Sequence, residues 1–590
     1  MLFQLLRLRL WLLDRLRLEE TKATLCWAGV IGLAGGFSSV LFREGIRVFQ
    51  HLLTGRSGGV VQVISELPLA HRVLVPTLGG LLAGATLYFG MRLLRGQRST
   101  DYMEAVVLGD GVIRVRSTLV KCLSSLFSIA SGGSIGREGP MVQLSAMVAS
   151  LVGRMARFTT PRRQLMVACG AAAGIASAYN APIAGALFVA EIVLGSISME
   201  SFGPLVVSSV LATITTREIL GDKPIYEIPP FEMVSKWELI PYLGLGLLAG
   251  SVAPVFLRFL QKSEDEFSKI NAALYARLAL GGLVVGALSI HAPQVCGNGY
   301  SVVTSILHSA WVWHALALML LYKLLATGAT VGSGAVGGVF TPTLFCGAAL
   351  GALYGIPLHA WQPEWTASAP AYALVGMGCF LAATTHAPLT SILILFEMTL
   401  DYAIVLPLML ACVTAYYVSC GLQARSIYSD SLDRKRKETG TVSLEAIKVS
   451  ALMKPGSPVV LETAPFIEVA RMFAKYQYNF LYVVNRENVF RGVIGLHDIK
   501  SVLNDPDLER ARCIIAIDLI RPRFPTLTPD TSMKLAMRVF TTHVGERIPV
   551  LDPKSRKLLG VVSKKDVLLT LAHNGFQANA PAGESPPAPA

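Results

Sequence analysis

The feature that most constrains the fold of this chain is an internal repeat in strongly apolar sequence. Residues 121–140 align without a gap with residues 323–342, so that Gly136 in the first copy matches Gly338 in the second. Glycine and proline interrupt both copies. Apolar segments that are broken at corresponding places in two halves of a chain indicate a transporter whose binding site lies between the repeats. The repeat therefore predicts a function in a membrane.

The composition also predicts a membrane protein. Hydrophobic residues make up 53% of the 590 residues and charged residues only 15%, and the mean hydropathy of +0.53 exceeds that of ordinary soluble domains. Breaks at membrane depth persist only where protein or a water-filled cavity satisfies the freed backbone groups, so the glycine and proline breaks indicate a pathway. Apolar runs of spanning length occur near 24–43, 74–91, 164–194, 203–219, 238–260, 273–290, 315–331, 388–400 and 403–420.

The positive charge predicts the orientation. The net charge is +13, and lysine and arginine cluster beside apolar runs, near 7–17, 154–163 and 434–437. Such clusters mark cytoplasmic flanks, so we expect both termini on the cytoplasmic side. Residues 1–22 alternate leucine with arginine and predict an interfacial helix rather than a removable signal peptide. Because the basic residues lie at membrane boundaries instead of in one patch, nucleic-acid binding is not expected.

The sequence predicts neither an enzyme nor a metal site. The nine cysteines form no CxxC pair and mostly lie within apolar runs, as small buried hydrophobic residues do. The chain has no Ser/His/Asp order, no HExxH and no P-loop, and its ten histidines show no ligand spacing. We therefore predict no catalytic residue, no metal ligand and no required cofactor.

The break between Gly132 and Pro140 suits an anion. Glycines let the backbone pass close to a ligand, and Pro140 suits the first turn of a following helix. A helix that begins inside the membrane points unpaired N–H groups and the positive end of its dipole at the occupant of the break, and the natural occupant is an anion. Residues 337–342 offer the same arrangement. The alternative is that both glycine-rich runs only allow close helix packing.

The same break carries a carboxylate, Glu138. An ionisable residue in a membrane segment is costly and indicates a functional site. Backbone donors would favour a negative group at this position, so the carboxylate itself can occupy the anion site. Protonation, or competition from an incoming anion, would displace it, which predicts Glu138 as a gate and a proton carrier. The alternative is a static ion pair with Arg137.

These motifs resemble those of the CLC family of chloride channels and proton–chloride exchangers. Gly136-Arg-Glu-Gly-Pro140, Gly338-Val-Phe-Thr-Pro342, Asn180-Ala-Pro182 and Ala387-Pro-Leu-Thr390 occur in family order between about 75 and 430. The resemblance implies an all-α polytopic membrane fold with two antiparallel repeats and broken helices. It also implies a homodimer in the lipid bilayer, with chloride as the substrate and one anion path in each subunit.

The resemblance also implies domain boundaries and site residues. The membrane domain would span 23–432, with repeats at about 23–220 and 235–430. Glu138 matches the gating glutamate, which also carries protons. Val339 and Phe340 match the pair whose backbone N–H groups face the central chloride. Tyr428 matches the tyrosine whose hydroxyl closes the inner side of the site. The neighbours of the gate, Gly136, Arg137 and Gly139, are the remaining anion-binding positions.

Two departures from the family pattern bear on the mechanism. The first family motif, Gly-Ser-Gly-Ile-Pro, is absent, and gap-free counting puts Gln97 at the place of its serine. Ser99 lies two residues further on and is a candidate anion-binding residue, since a small shift of the loop would bring its hydroxyl to that place. The central hydroxyl donor is therefore unassigned. Many family exchangers carry a second glutamate after the one that Glu191 matches, and it passes protons inward. Here the residue is Ile192, which cannot titrate, so we expect uncoupled, channel-like conduction, with a proton-coupled antiporter as the alternative.

A second repeat follows in more polar sequence. Leu452-Met-Lys-Pro455 matches Leu519-Ile-Arg-Pro522, and the segment 492–498 matches 560–566. The pattern of helices and short strands resembles a tandem pair of α/β CBS domains. We place this cytoplasmic pair at 449–505 and 515–572, after a linker at 433–448 and before a disordered tail at 573–590.

The CBS resemblance implies an adenine-nucleotide site in one copy. In that family a Gly-x-x-Ser/Thr-x-x-Asp turn binds the ribose. The second copy fits with Ser563 and Asp566, whereas the first has Gly495 in place of the hydroxyl. A purely structural or dimerising pair is the alternative.

Another class of protein, a cation or Mg²⁺ transporter, also carries CBS domains. It would need clustered carboxylates facing the pore, and Glu138, Glu191 and Glu397 are too few and too scattered for that. The compact layout and the absence of long targeting regions predict a bacterial inner membrane.

Overall fold

A computed structural model of the protein divides the chain into two compact units, Met1–Asp433 and Arg434–Ala590. Gln97 and Ser99 lie outside the described residues, as do most of the linker and the whole tail predicted from the sequence. The structure describes residues 2–94, 100–222, 226, 228, 231, 233–422, 426–429, 447–454, 458–475, 480–496, 498–499, 513–521, 524–542, 546–564 and 566–567.

The first unit is helical throughout its described part. Seven of its helices contain a segment that is long and apolar enough to cross a membrane. In the numbering given at the end of this paragraph, they are α1, α3, α10, α11, α13, α14 and α17. This confirms the predicted all-α polytopic membrane fold. The helices are α1 Leu2–Thr54, α2 Val60–Ser65, α3 Leu69–Leu93, α4 Tyr102–Val107, α5 Val115–Ala130, α6 Glu138–Met155, α7 Thr160–Tyr179, α8 Pro182–Phe188, α9 Met199–Leu220, α10 Leu239–Lys269, α11 Leu274–His291, α12 Tyr300–His308, α13 Trp313–Gly332, α14 Phe340–Trp361, α15 Ala369–Thr385, α16 Pro388–Thr399 and α17 Val405–Leu422.

The sequence repeat recurs in the backbone angles. The residues that end α7 and α15, Asn180 and His386, are both left-handed, with φ of 55° and 56°. Gly132 and Gly334, which precede the two breaks, have φ of 101° and 98°. Glycine adopts such angles without steric cost, and asparagine and histidine do so more readily than most residues. Matching angles at matching positions show that the two halves fold alike around their breaks.

Close helix packing explains other glycines of the membrane unit. A Cβ added at Gly351 of α14 would overlap the carbonyl oxygen of Tyr372 in α15, and one at Gly347 would overlap that of Gly376. Small residues that let two backbones approach are how apolar helices gain packing contacts inside a membrane. The long, buried α14 is therefore fixed against α15 by glycines.

Substitution at this helix contact should destabilise the protein. We expect Gly351→Val to cost about 3 kcal/mol, because the new side chain would overpack a backbone contact. The matched control is Gly421→Val in α17, where an added Cβ meets no atom within 4 Å. Thermal unfolding of both purified variants in detergent should show a lower midpoint for Gly351→Val alone. Equal midpoints would contradict the proposed packing.

The second unit contains two small sheets. β1 pairs parallel with β2, β2 pairs antiparallel with β3, and β4 pairs antiparallel with β5. Single bridges join Lys454 to Val561 and Val493 to Arg521, so each copy contributes a leading segment to the last strand of the other. This confirms the predicted α/β pair. Its elements are β1 Val459–Leu461, α18 Phe466–Lys475, β2 Phe480–Val484, β3 Phe490–Gly495, α19 Met533–Thr542, β4 Arg547–Leu551 and β5 Leu558–Ser563.

Candidate functional site

The two repeated breaks meet at one point. α6 begins at Glu138 and α14 begins at Phe340, the equivalent position of the second repeat. Just before them, Gly136 N donates to Gly338 O at 2.7 Å and Gly338 N donates to Gly136 O at 2.9 Å. This reciprocal pair brings the two helix N-termini together, about 200 residues apart in sequence. Both dipoles therefore contribute positive potential to the same small region.

The Glu138 carboxylate is held by the helix of the opposite repeat. Thr341 N donates to Oε1 at 3.0 Å, and Thr341 Oγ1 donates to Oε2 at 3.1 Å. Glu138 is only 4% exposed. The Arg137 guanidinium lies over the Tyr300 ring, with Cζ 5.6 Å from the ring centroid, and forms no ion pair with Glu138 in the described part of the chain. The carboxylate is thus stabilised by uncharged donors rather than by a paired cation.

Two glycines leave the space that this carboxylate occupies. A Cβ added at Gly136 would overlap both carboxylate oxygens of Glu138, and one added at Gly338 would come within 2.6 Å of Oε1. Helix packing alone does not account for these two glycines, because the atoms that exclude a side chain belong to Glu138. A small anion that replaced the carboxylate would fit the same space.

A cavity of about 270 Å³ adjoins Glu138, and we call it the Glu138 cavity. It has room for an ion with several waters, since a water molecule takes about 30 Å³ of liquid. Four other predicted site residues line it, whereas Gly136 and Arg137 do not. The four are Gly139, Val339, Phe340 and Tyr428.

Aromatic side chains form one wall of the Glu138 cavity. The Tyr428 ring meets the Phe188 ring edge-on at 5.5 Å between centroids, and Phe340 lies 4.8 Å from Tyr179. The Tyr428 hydroxyl makes no hydrogen bond to any described residue and faces the cavity, so it can donate to an anion there.

Gln143 is a cavity residue that the sequence did not single out. Its Oε1 accepts from Tyr102 N at 2.9 Å, and its Nε2 donates to Thr100 O at 3.0 Å. These bonds attach α6 to the segment that follows the missing first family motif. A glutamine two turns into an apolar helix is the only sequence signal for this role. Ser99 itself lies outside the described residues, so the structure assigns it no contact.

A second cavity, of about 730 Å³, lies beside Arg137, and we call it the arginine cavity. Arg43, Arg47 and Arg137 line it together with neutral residues, among them Tyr300, and no acidic residue does. Within the described residues, neither Arg43 nor Arg137 forms an ion pair. Uncompensated positive charge in a concave surface concentrates anions. The adjacent residues Arg137 and Glu138 therefore face two different cavities.

Glu191 and Glu397 exchange contacts between the repeats. Glu191 accepts from Thr390 N at 2.8 Å, from Leu389 N at 3.2 Å and from the Thr390 hydroxyl at 2.6 Å, at the start of α16. Glu397, within α16, accepts from Ile183 N at 2.9 Å and Ala184 N at 2.8 Å, at the start of α8. Each carboxylate thus satisfies helix N-terminal donors of the other repeat. The sequence showed both residues but not this exchange.

Ile192 and Glu191 lie apart from the Glu138 cavity. Both belong to a short π-helical turn, Val189–Val193, that continues α8, and neither lines the cavity. Ile192 is half-buried and packs against the apolar core. The structure therefore does not bring this pair into contact with Glu138.

The predicted ribose turn carries an internal ion pair. Ser563 Oγ donates to Asp566 Oδ2 at 2.6 Å, and Lys454 Nζ donates to Asp566 Oδ1 at 2.7 Å. Lys454 and Ser563 hold the pKa of Asp566 below its ordinary value. A carboxylate with a lowered pKa stabilises the fold above its unfolded-state pKa, and this contribution is lost as pH falls through the lowered value.

The first CBS copy has the equivalent ion pair, with its own aspartate and a basic residue of the other copy. Asp498 accepts from the guanidinium of Arg521, with Arg521 Nε 3.0 Å from Oδ1, and from Gly495 N at 2.9 Å. In place of the Ser563 hydroxyl, the turn therefore offers only a backbone N–H. The two copies differ at the group that would bind a ribose.

Family profiles match both units. The profile described as "Voltage gated chloride channel" matches residues 79–420, and the CBS domain profile matches 449–505 and 515–573. This chain belongs to the voltage-gated chloride channel (CLC) family. The family resemblance drawn from Gly136-Arg-Glu-Gly-Pro140 and its companions is thereby confirmed, as is the tandem CBS pair.

Several relatives resemble the membrane unit of this CLC protein. A putative ClcB-like chloride channel protein of Ralstonia nicotianae is 54% identical over 416 residues, covering 70% of this chain and 97% of the relative. The voltage-gated ClC-type chloride channel ClcB of Escherichia coli is 42% identical, over 68% of this chain and 96% of the relative.

Solved structures share the fold. A slow cyanobacterial Cl⁻/H⁺ antiporter superposes with a TM-score of 0.63 at 26% identity, covering 70% of this chain and 98% of the antiporter. A eukaryotic CLC transporter has a TM-score of 0.61 at 18% identity, covering 92% of this chain and 97% of that transporter. The second likeness shows the fold alone.

Loss of the Glu397 contacts should destabilise the membrane unit. In Glu397→Ala the N–H groups of Ile183 and Ala184 lose their acceptor, and we expect a cost of about 2–3 kcal/mol. Glu397→Gln keeps one carbonyl oxygen and should cost less. The control is Glu364→Ala, at an exposed carboxylate. Thermal unfolding in detergent should rank the variants in this order, and a Glu397→Ala midpoint equal to that of Glu364→Ala would contradict the contact's role.

Proposed function

We propose that the protein transports chloride along a path gated by Glu138, one path in each subunit. The observation that carries this proposal is the Glu138 carboxylate itself: a negative group, 4% exposed, held between two helix N-termini by the N–H and hydroxyl of Thr341. Uncharged donors at helix N-termini bind small anions. Because no cation is paired with the carboxylate, a chloride ion can compete for its position.

Glu138 leaves this position when it is protonated or when an anion displaces it. Protonation removes the charge that the helix dipoles stabilise. In the vacated path, Val339 and Phe340 present backbone N–H groups to the central anion, and the Tyr428 hydroxyl binds it from the other end of the Glu138 cavity. Gly136, Arg137 and Gly139, which neighbour Glu138, are the further anion-binding residues of this path. The arginine cavity supports this path, since Arg43 and Arg137, which form no ion pair among the described residues, favour anions there.

We propose further that conduction is uncoupled, as in a channel. Ile192 cannot titrate, and the Glu191 carboxylate beside it is engaged by two backbone N–H groups and one hydroxyl of α16. A proton-coupled antiporter is the second candidate. Two observations favour it: Glu138 itself can carry a proton, and the structure resembles that of a Cl⁻/H⁺ antiporter at 26% identity.

We propose the oligomeric state and the membrane location that the family resemblance implies. The protein is a homodimer in a bacterial inner membrane, with both termini in the cytoplasm. The clusters of lysine and arginine near 7–17 and 434–437 support this orientation. Because its function lies in anion transport, we propose no catalytic residue and no required cofactor.

A paired flux measurement tests the gate. Proteoliposomes with a chloride gradient are monitored with chloride and pH electrodes at a series of pH values. We expect chloride efflux that depends on pH and no opposed proton movement. Glu138→Gln should keep the flux and lose its pH dependence, because the amide cannot titrate.

Glu364→Gln is the matched control for this measurement, since it removes an exposed carboxylate, and it should behave as the unsubstituted protein does. A Glu138→Gln variant that retains the full pH dependence would contradict the gating role. Proton movement driven by the chloride gradient, lost in Glu138→Gln, would establish the antiporter instead.

For the CBS pair we propose a single adenine-nucleotide site at the second copy. Ser563 and Asp566 lie in hydrogen-bond contact, so one turn presents both a hydroxyl and a carboxylate to a ribose. The Lys454 ammonium occupies one carboxylate oxygen, so a nucleotide must compete with it or recruit it to a phosphate.

Calorimetry on the full-length protein tests this site. AMP or ATP should bind, and Asp566→Asn should weaken binding about tenfold or more, because a hydrogen bond to a charged group is lost. The control is Asp498→Asn in the first copy, where Gly495 replaces the hydroxyl, and it should bind as the unsubstituted protein does. No heat at millimolar nucleotide, or equal losses in both variants, would reject the proposal.

A further inference from the structure

We propose that the Thr341 hydroxyl is a hydrogen-bond donor of the transport path with two successive partners. It holds the Glu138 carboxylate while the gate is closed, and it binds the transported anion once Glu138 has left. This inference rests on the proposed function, because it requires Glu138 to leave its site. It assigns a side-chain hydroxyl to a path whose central hydroxyl donor the sequence leaves unassigned.

Thr341 differs in its hydrogen bond from the other threonine of the same helix. Thr343 Oγ1 donates to the carbonyl oxygen of Val339, four residues earlier, at 2.8 Å. This is the usual use of a threonine hydroxyl inside a helix. Thr341 is the second residue of α14, is 1% exposed, and donates instead to Glu138 Oε2 at 3.1 Å. Its hydroxyl therefore donates to the carboxylate that occupies the anion site and not to a backbone carbonyl.

A buried tyrosine lies beside this contact. Tyr179 is fully buried, its ring packs at an angle on Phe340 with 4.8 Å between the ring centroids, and its Oη makes no standard hydrogen bond within the described residues. Tyr179 and Tyr300 both adjoin the Thr341 side chain. A tyrosine that donates to Thr341 Oγ1 would direct the threonine proton toward the anion site.

The charged and titratable groups around Glu138 come from several elements. The charged ones are Arg137 at the start of its own helix and, along the Glu138 cavity, Lys121 and Asp101. The phenols are Tyr179, Tyr226, Tyr300 and Tyr428. The two Thr341 groups are the hydrogen-bond donors that the second repeat supplies to the Glu138 carboxylate. Removal of one donor should therefore be measurable.

Chloride binding to the gate-free protein tests the second partner. In purified Glu138→Ala, calorimetry should detect chloride binding. Adding Thr341→Val should weaken it about tenfold or more, because a hydrogen bond to a charged species is lost. Thr341→Ser retains the hydroxyl and should bind as Glu138→Ala does. The matched control is Thr343→Val in the same background, and Thr341→Ala is a second hydroxyl-free variant should valine disturb folding.

The pH dependence of flux tests the first partner. In proteoliposomes, Thr341→Val in the otherwise unsubstituted protein should move the pH midpoint of chloride flux upward by about one unit, since the ionised carboxylate loses a donor while the protonated form loses less. Thr343→Val should leave the midpoint in place. Thr341 variants that match Thr343→Val in both assays would overturn this inference and leave the proposed function standing. An unsubstituted protein without chloride flux would overturn both.

Discussion

The structure depends on one requirement, which is that helix N-termini inside a membrane need acceptors for their unpaired N–H groups. Water is scarce there, and an unsatisfied donor is costly. The chain meets this requirement with carboxylates that cross between the repeats. Glu397 binds the start of α8, Glu191 binds the start of α16, and Glu138 binds the start of α14. The same interaction that joins the two halves also creates a site where a negative group is favoured.

An adjoining cavity distinguishes Glu138, the proposed gate, from the two carboxylates that join the repeats. Glu397 accepts two backbone N–H groups, and Glu191 accepts two together with a hydroxyl. Glu138 accepts one backbone N–H and one hydroxyl, both from Thr341, and it borders a cavity. A carboxylate with open space beside it is displaced more easily. The glycines at 136 and 338 keep that space the size of a carboxylate or a small ion.

The breaks in the helices and the matching positions of the two repeats could be predicted from the sequence, because they depend on local signals and on internal repetition. Gly136 and Gly338 align in sequence and pair in space, and Glu138 stands in the break where the repeat placed it. Contacts that join distant segments could not be predicted, because neither their partners nor their register is encoded locally. The hydroxyl of Thr341 and the exchange between Glu191 and Glu397 are of this kind. The segment Phe340–Trp361 is not among the spans that the sequence predicts, although it forms one continuous helix that begins at the second break.

We propose that the Glu138 carboxylate occupies an anion site formed by the N-termini of α6 and α14. Anomalous diffraction from crystals of the Glu138→Ala variant and of the unsubstituted protein, both grown in bromide, tests this site. We expect a bromide peak within hydrogen-bond distance of Thr341 N and Oγ1 in the variant, at the place of the missing carboxylate, and no peak there in the unsubstituted protein. An empty site in the variant, or a bromide ion beside an undisplaced Glu138 carboxylate, would contradict it.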